Sequence, residues 1–396
     1  MAKKMLFLFV LLLSLTGMLK AQVTTAGMSG KVMADEESVI GATVVAVHEP
    51  SGTSYGTVTN VDGRFSLQGM RSGGPYKVTV SYIGYQTAIY TGIQLQLGET
   101  YSLNVTLHEA SELLGEITIT ASKSKFSAEK TGATTNISSE QLTTLPSINR
   151  SISDFTRISP YASGNSFGGR DGRSNTFTVD GANLNNNFGL SSGLPGGGNP
   201  ISLDAIDEVQ VVIAPYDVRQ ANFIGAGINA ITKSGTNAYR GSAYMYFNNE
   251  VMRGNKIGDT DFGVRAEESK TVYGATFGGP IIKDKLFFFA NVEYEKSPQQ
   301  VITWRAAKEG ETPNNSTISR TTEADLAEFS QILKDKYRYN TGSFTDFPAD
   351  VTNLKLLGRI DWNINQGNKL SVRYNFTNNK TWEAPNGSSG NTGYRL

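Results

Sequence analysis

Side chains suited to bond-making chemistry are scarce in this 396-residue chain. There is no cysteine, which removes thiol catalysis and thiolate metal sites, and there are two histidines, His48 and His108. Both fall near the ends of predicted strands without a plausible ligand set, so both are expected to be surface histidines and no metal is assigned. No nucleophile, base and orienting group share a motif, so no catalytic residue is assigned and no cofactor is expected. The charges that do cluster are Arg170, Asp171, Arg173 and Asp180, the last followed by Gly181 in a sharp turn. Guanidinium and carboxylate groups at this spacing either pair with one another or with a facing wall, or meet a ligand. A second kind of chemistry is offered by Glu116, Ile117, Thr118, Ile119 and Thr120, an alternating, β-prone run followed by Lys123-Ser124-Lys125. An isolated strand carries unpaired backbone groups and can add to the edge of another protein's sheet. The same residues could equally close the sheet of a preceding domain or serve as plain linker.

The elements that must position these residues follow an export signal. Lys3 and Lys4 precede an apolar stretch over residues 5–15, and Gly17 and Leu19-Lys20-Ala21 supply small residues for cleavage after Ala21. The stretch is too short to span a bilayer comfortably, and no later segment offers the ~18 apolar residues of a helical span. Strands of a membrane barrel give a much weaker signal, so this does not exclude a barrel. Charged residues make up 18% of the chain and its formal net charge is zero, with no Lys/Arg block that would suit a nucleic-acid groove. Without cysteine, an exported chain must hold together by sheet pairing and packing alone.

Residues 27–109 read as about seven short strands separated by turn signals such as Pro50-Ser51-Gly52 and Asn60-Val61-Asp62-Gly63, which suggests a small β-sandwich. Residues 110–131 form a linker. Residues 132–236 mix elements: a helix start at Ser138-Ser139-Glu140-Gln141-Leu142 with a stop at Leu145-Pro146, and a short helix over residues 151–157. Next come a strand through Phe177 and Val179, a long Gly/Asn/Pro-rich loop over residues 183–200 with Asn183, Asn185, Asn186 and Asn187, and a short helix over residues 202–208. Strands through Val209, Val211 and Ile213 and over residues 228–232 complete the region.

From residue 237 onward the period changes to strict alternation. Leu286, Phe288, Ala290, Val292 and Tyr294 share one parity, as do Leu354, Leu356, Gly358, Ile360, Trp362 and Ile364, and Leu370, Val372, Tyr374 and Phe376. Lys355, Arg359, Asp361, Asn363, Arg373 and Asn375 take the opposite parity. A wall with lipid outside and water inside has this pattern. Short reversals at residues 279–284 and 366–368 alternate with long ones at residues 248–270 and 296–351. That order predicts outward strands at 238–247, 285–295 and 369–378, and returning strands at 271–279 and 353–364. A helix over residues 323–337, with Leu326, Phe329, Ile332 and Leu333 on one side, is expected in the second long loop. A soluble antiparallel sheet has the same period, but the aromatic strands, uneven loops and export signal favour a membrane. About five strands cannot close a large barrel, so the chain is expected to be part of a longer protein.

Two resemblances add to this reading. Gly41-Ala42-Thr43-Val44, the run TVTNVDGRFSL from Thr57 and the run YKVTVSYIGYQT from Tyr76 resemble the carboxypeptidase regulatory-like domain. The stretch from Gly169-Arg170 through Asp180-Gly181, IDEVQVV from Ile206, GAGINAITKSGTN from Gly225 and the aromatic strand from Tyr239 resemble the TonB-dependent outer-membrane receptors. Taken in order, these segments look like the Oar-like branch, with the SusC-like branch sharing the same domain order. The resemblance implies a mainly β fold: a small β-sandwich, a mixed α/β plug, then part of a transmembrane antiparallel β-barrel, which in the family has about 22 strands. It also implies that residues 22–131 lie in the periplasm. Glu116–Thr120 then becomes the candidate segment for contact with TonB, which transmits energy from the inner membrane. Arg170, Asp171, Arg173, Asp180 and Gly181 become candidates for plug structure or gating. Expected partners are the TonB complex, outer-membrane lipid and an unidentified extracellular substrate, with a lipoprotein lid on the SusC-like reading and no nucleic acid. The function implied is active import; an adhesion or organising protein anchored by its barrel is the alternative.

Overall fold

The computed structural model describes residues 23–34, 37–109, 117–120, 133–147, 150–185, 194, 199–215, 217, 220–221, 223–261, 269–299, 305–313, 318–342 and 349–381. The export signal, Glu116, Asn186, Asn187 and most of the linker lie outside these residues. The chain forms two compact units. The first comprises Met1–Gly241, Thr276–Asn291 and Leu357–Asn375, and the second Ser242–Ala275, Val292–Leu356 and Phe376–Leu396.

The first unit opens with a sandwich. One sheet is built on β1 (Ala26–Ala34), flanked by β2 (Glu37–Ser38) and β5 (Arg64–Met70), with β8 (Thr100–Ser102) and β9 (Val105–Leu107) parallel to β1. The other orders β4 (Thr53–Val58), β3 (Thr43–His48), β6 (Gly73–Ser81), β7 (Ala88–Leu95) and β10 (Ile117–Thr120). Alternation puts Val44, Ala46, Tyr76, Val78 and Val80 of one sheet against Met28, Val32, Phe65 and Leu67 of the other, all buried in one core. The sequence reading marks no strand over residues 88–95, because Gly92 interrupts the alternation there. The expected strand over residues 101–107 is broken at Leu103, whose amide donates to Ser29 O.

A third sheet of the unit orders β11 (Ala133–Ser138), β16 (Ile206–Ala214), β17 (Gly227–Thr232), β14 (Thr176–Val179) and β15 (Ala182–Asn183). Two short helices pack near it. α1 (Ser139–Thr144) starts with a capping box between Ser138 and Gln141, and α2 (Ile152–Thr156) with one between Ser151 and Asp154. A small hairpin of β12 (Ala162–Ser163) and β13 (Ser166–Phe167) carries Phe167 into the core. Ile137, Ile152, Phe155, Phe177, Val209 and Val211 fill that core. The helix expected over residues 202–208 is only a 3-10 turn at Leu203–Ala205, with strand from Ile206. Burial of both faces of β16, continuous from Glu208 to Val212, outweighs the local helical signal.

The remaining strands form one five-stranded sheet in chain order: β18 (Arg240–Asn249), β21 (Ser269–Ile282), β22 (Leu286–Gln299), β25 (Ala349–Asn363) and β26 (Lys369–Lys380). Between them lie a small hairpin of β19 (Lys256–Ile257) and β20 (Thr260–Asp261), the parallel pair β23 (Arg305–Ala307) and β24 (Ile318–Thr322), and α3 (Glu323–Tyr337). α3 occupies the expected residues behind a Thr322–Asp325 capping box, yet only Leu326 of its apolar side is buried. Parity follows the sequence. Val292, Tyr294, Ile360, Trp362, Leu370, Val372 and Tyr374 are exposed, while Asn291, Glu293, Asn353, Lys355, Arg359 and Asp361 are buried. Apolar residues at inward positions break the polar rule: Val272 and Phe287 are buried, and Phe289 and Leu357 join the core of the β11–β17 region.

Candidate functional site

The site is a buried charge network where that β11–β17 region meets β25 and β26. Asp180 sits at φ +48° in the β14–β15 turn, followed by Gly181 at φ +85°. Asp tolerates the left-handed region better than most side chains and Gly adopts it freely, so this dipeptide can turn the chain and aim a carboxylate sideways. Thr232, at the end of β17, donates its amide to Asp180 Oδ1 at 3.0 Å and its hydroxyl to Oδ2 at 2.6 Å. Two guanidinium groups face the same carboxylate: Arg373 Nε lies 3.3 Å from Oδ2 and Arg359 Nη1 lies 3.9 Å from Oδ1. Arg359 also donates to the carbonyl and hydroxyl of Thr232.

Asp361 anchors the other side of Arg359. Arg359 grips it bidentately, Nε to Oδ2 at 2.7 Å and Nη2 to Oδ1 at 3.1 Å. Ser371 adds a hydroxyl at 2.6 Å, and Arg71 of the sandwich stands 3.7 Å away. Removed from bulk water, such charges hold only because each meets an opposite charge, although Arg373 Nε and Arg71 Nη1 are buried without a hydrogen-bond acceptor. Nearby, Lys369 Nζ stands 3.2 Å above the Tyr55 ring, and Asn363 Nδ2 donates to Thr53 Oγ1 at 2.9 Å.

The sandwich meets the β11–β17 region through Leu97. Its amide donates to both oxygens of Glu208, at 3.0 and 3.1 Å, and its carbonyl accepts from Asn136 and Gln210. Burial pushes the Glu208 carboxyl up to about 8, against the lowering effect of the Leu97 amide, with the charge of Asp207 adding to the rise. Gly98 holds φ +69° beside this contact, and a Cβ there would lie 2.8 Å from Gln210 Nε2.

The remaining candidates lie elsewhere. Arg170, Asp171 and Arg173 are exposed. Asp171 accepts from the Arg173 amide and Nε, both at 2.9 Å, a local cap for the turn that follows, and those two bonds hold its carboxyl below the usual range. Of the four clustered charges, only Asp180 reaches the buried network. His48 is buried, which corrects its assignment to the surface. Its Nδ1 pairs with Ser51 Oγ at 2.7 Å, and burial, helped by Arg71, lowers its pKa to about 3. His108 is exposed, and no group of three or more His, Asp or Glu residues among the described residues could hold a metal. Ile117–Thr120 is a parallel edge strand on β7. The second unit has its own inward pair, Lys355 Nζ to Glu293 Oε1 at 2.8 Å, with the Tyr244 hydroxyl at 2.9 Å from Oε2. Sequence reading missed Glu208, Gln210, Leu97 and Thr232. Their partners are remote in the chain; the Asp180-Gly181 turn and the inward parity of Arg359, Asp361 and Arg373 were the parts of the network that the sequence signalled.

Comparison with known proteins decides what kind of wall carries this parity. Residues 231–395 match the family described as outer membrane beta barrel domain, and residues 27–108 match the carboxypeptidase regulatory-like domain. The carboxy-terminal part of the chain is thus similar to outer-membrane β-barrel domains, and the outer membrane is its location. The exposed apolar parity is therefore its lipid face. Over 344 residues the chain is 25% identical to the TonB-dependent transporter Oar of Myxococcus xanthus, covering 82% of this chain and 30% of that protein. The chain thus spans less than a third of the length of the curated relative it matches. Among solved structures, the siderophore receptor PirA of Acinetobacter baumannii aligns with a TM-score of 0.42 at 19% identity, over 62% of this chain and 31% of that one. The outer membrane transporter YddB of Escherichia coli aligns with a TM-score of 0.39 at 15% identity, over 62% and 33%.

Proposed function

We propose that this chain belongs to an importer of the Oar-like branch, in which TonB, pulling from the periplasm, moves a plug formed by residues 132–236 and admits an extracellular substrate of unidentified chemistry. The observation that carries this reading is the pairing of Asp180 with Arg359 and Arg373, inward residues of two barrel strands. A domain latched to a barrel wall by buried charges is held firmly at rest. Because those charges can be rehydrated as the latch opens, it can also be released without unfolding the wall. Residues 22–131 stand in the periplasm on this reading, and Glu116–Thr120 is the segment that TonB engages. Arg170, Asp171 and Arg173 shape the plug turn, and Asp180-Gly181 forms the latch.

The test is deletion of residues 116–120 in the full-length protein in its membrane. Binding of the TonB carboxy-terminal domain and energy-dependent uptake should both be lost, while barrel assembly and surface exposure persist. Unchanged TonB binding would refute the coupling role. Adhesion that survives the deletion, with no uptake in the parent, would favour the anchoring reading instead.

A further inference from the structure

The sheet edge of the amino-terminal sandwich carries the residues assigned to TonB contact. Ile117–Thr120 lies along β7 in parallel, with Ile117 opposite Ala88, Thr118 opposite Ile89, Ile119 opposite Tyr90 and Thr120 opposite Thr91. Without it, β7 would be the open edge of the sheet, a template for strand addition.

Two features make this pairing a dock rather than a fixed part of the sandwich. The pairing is short and ends where β7 bulges. The register between β6 and β7 shifts between the Tyr76 and Val78 pairs, and Gly92, next after Thr91, takes φ +78°. Among the described residues the ladder is four parallel pairs long, and so short a parallel ladder is weak. The chain leading to it is also clasped to the start of β7. Gln86 N donates to His108 O at 2.9 Å, and Tyr85 bridges Glu109, so residues 110–116 alone separate the clasp from the docked strand. A tether this short keeps the local concentration of the strand high at β7.

We propose that the carboxypeptidase regulatory-like domain is the resting dock of the TonB-contacting strand, and that TonB must take Ile117–Thr120 away from β7 to bind it. This rests on the reading of Glu116–Thr120 as the TonB segment. The dock keeps an aggregation-prone strand covered until a partner arrives. It also weakens the apparent affinity for TonB in proportion to the fraction of strand left free.

The experiment uses the full-length protein in detergent or nanodiscs. These 396 residues contain no cysteine, so Thr91→Cys with Thr120→Cys introduces their one thiol pair, at positions facing each other across the ladder, in a full-length background whose cysteines elsewhere are replaced by serine. Mild oxidation should close the bridge in most molecules. The oxidised form should bind the TonB carboxy-terminal domain at least about tenfold more weakly than the same sample after reduction, which serves as the folding control. Failure of the bridge to form, or equal binding by both forms, overturns the proposal. Deleting residues 116–120 in parallel separates the two ideas. If deletion abolishes binding while the bridge has no effect, TonB contacts the strand but the dock does not compete. If deletion leaves binding intact, the coupling assignment itself fails and the dock fails with it.

Discussion

Replacing Asp180 with Asn tests the latch with little change of shape. Asn tolerates the left-handed conformation at φ +48°, and its Oδ1 can still accept the Thr232 amide. What disappears is the negative charge facing Arg373 and Arg359, together with the acceptor of the Thr232 hydroxyl. Arg359 keeps its bidentate partner Asp361, so the cost falls below the ~3–5 kcal/mol of breaking an isolated buried pair. Loss of charge-assisted contact chiefly to Arg373 corresponds to about 2 kcal/mol. The opening equilibrium of β17 should therefore rise about 30-fold. Hydrogen exchange at the amides of Ile231 and Thr232, followed by mass spectrometry in the membrane-embedded protein, reads that change directly. Arg373→Gln should cost much less in the Asp180→Asn background than in the parent, because the two groups act on each other. Parent-like exchange in Asp180→Asn, or full additivity of the two changes, would refute the latch.

Three further outcomes are expected. Glu208 has a folded-state pKa raised from 4.5 to about 8, so the folded form holds a proton that the unfolded form gives up. Stability of the sandwich–plug contact should fall by about 1.4 kcal/mol per pH unit across that window, and Glu208→Gln should flatten the slope, read from Leu97 amide protection corrected for intrinsic exchange. His48, lowered to about 3, should show no imidazole titration by NMR between pH 5 and 8. As pH falls through the ordinary histidine range toward that value, the unfolded chain takes up a proton that folded His48 refuses, so stability should decline. Gly98→Ala strains a positive φ and crowds Gln210, and should expose the Leu97 contact to protease at a cost of about 1–3 kcal/mol while leaving barrel assembly intact.

Alternation along a strand depends only on which face of the pleat each residue takes, and the chain itself sets that. The lipid and lumen parities of Val292, Ile360 and Tyr374 against Glu293, Arg359 and Arg373 were therefore readable from the residues, as were the helix start at Ser138, the helix over residues 323–337 and the turn at Asp180-Gly181. Partners distant in the chain carry no such local mark. Nothing beside Asp180 points to Arg373, nothing beside Leu97 points to Glu208, and an alternating run such as Ile117–Thr120 does not say which sheet edge it joins. Burial of His48, the inward Phe289 and Leu357, and the strand that displaced an expected helix at Ile206 belong with these. In each, packing brought together surfaces whose separate local preferences were indifferent or opposed, and the larger area removed from water prevailed.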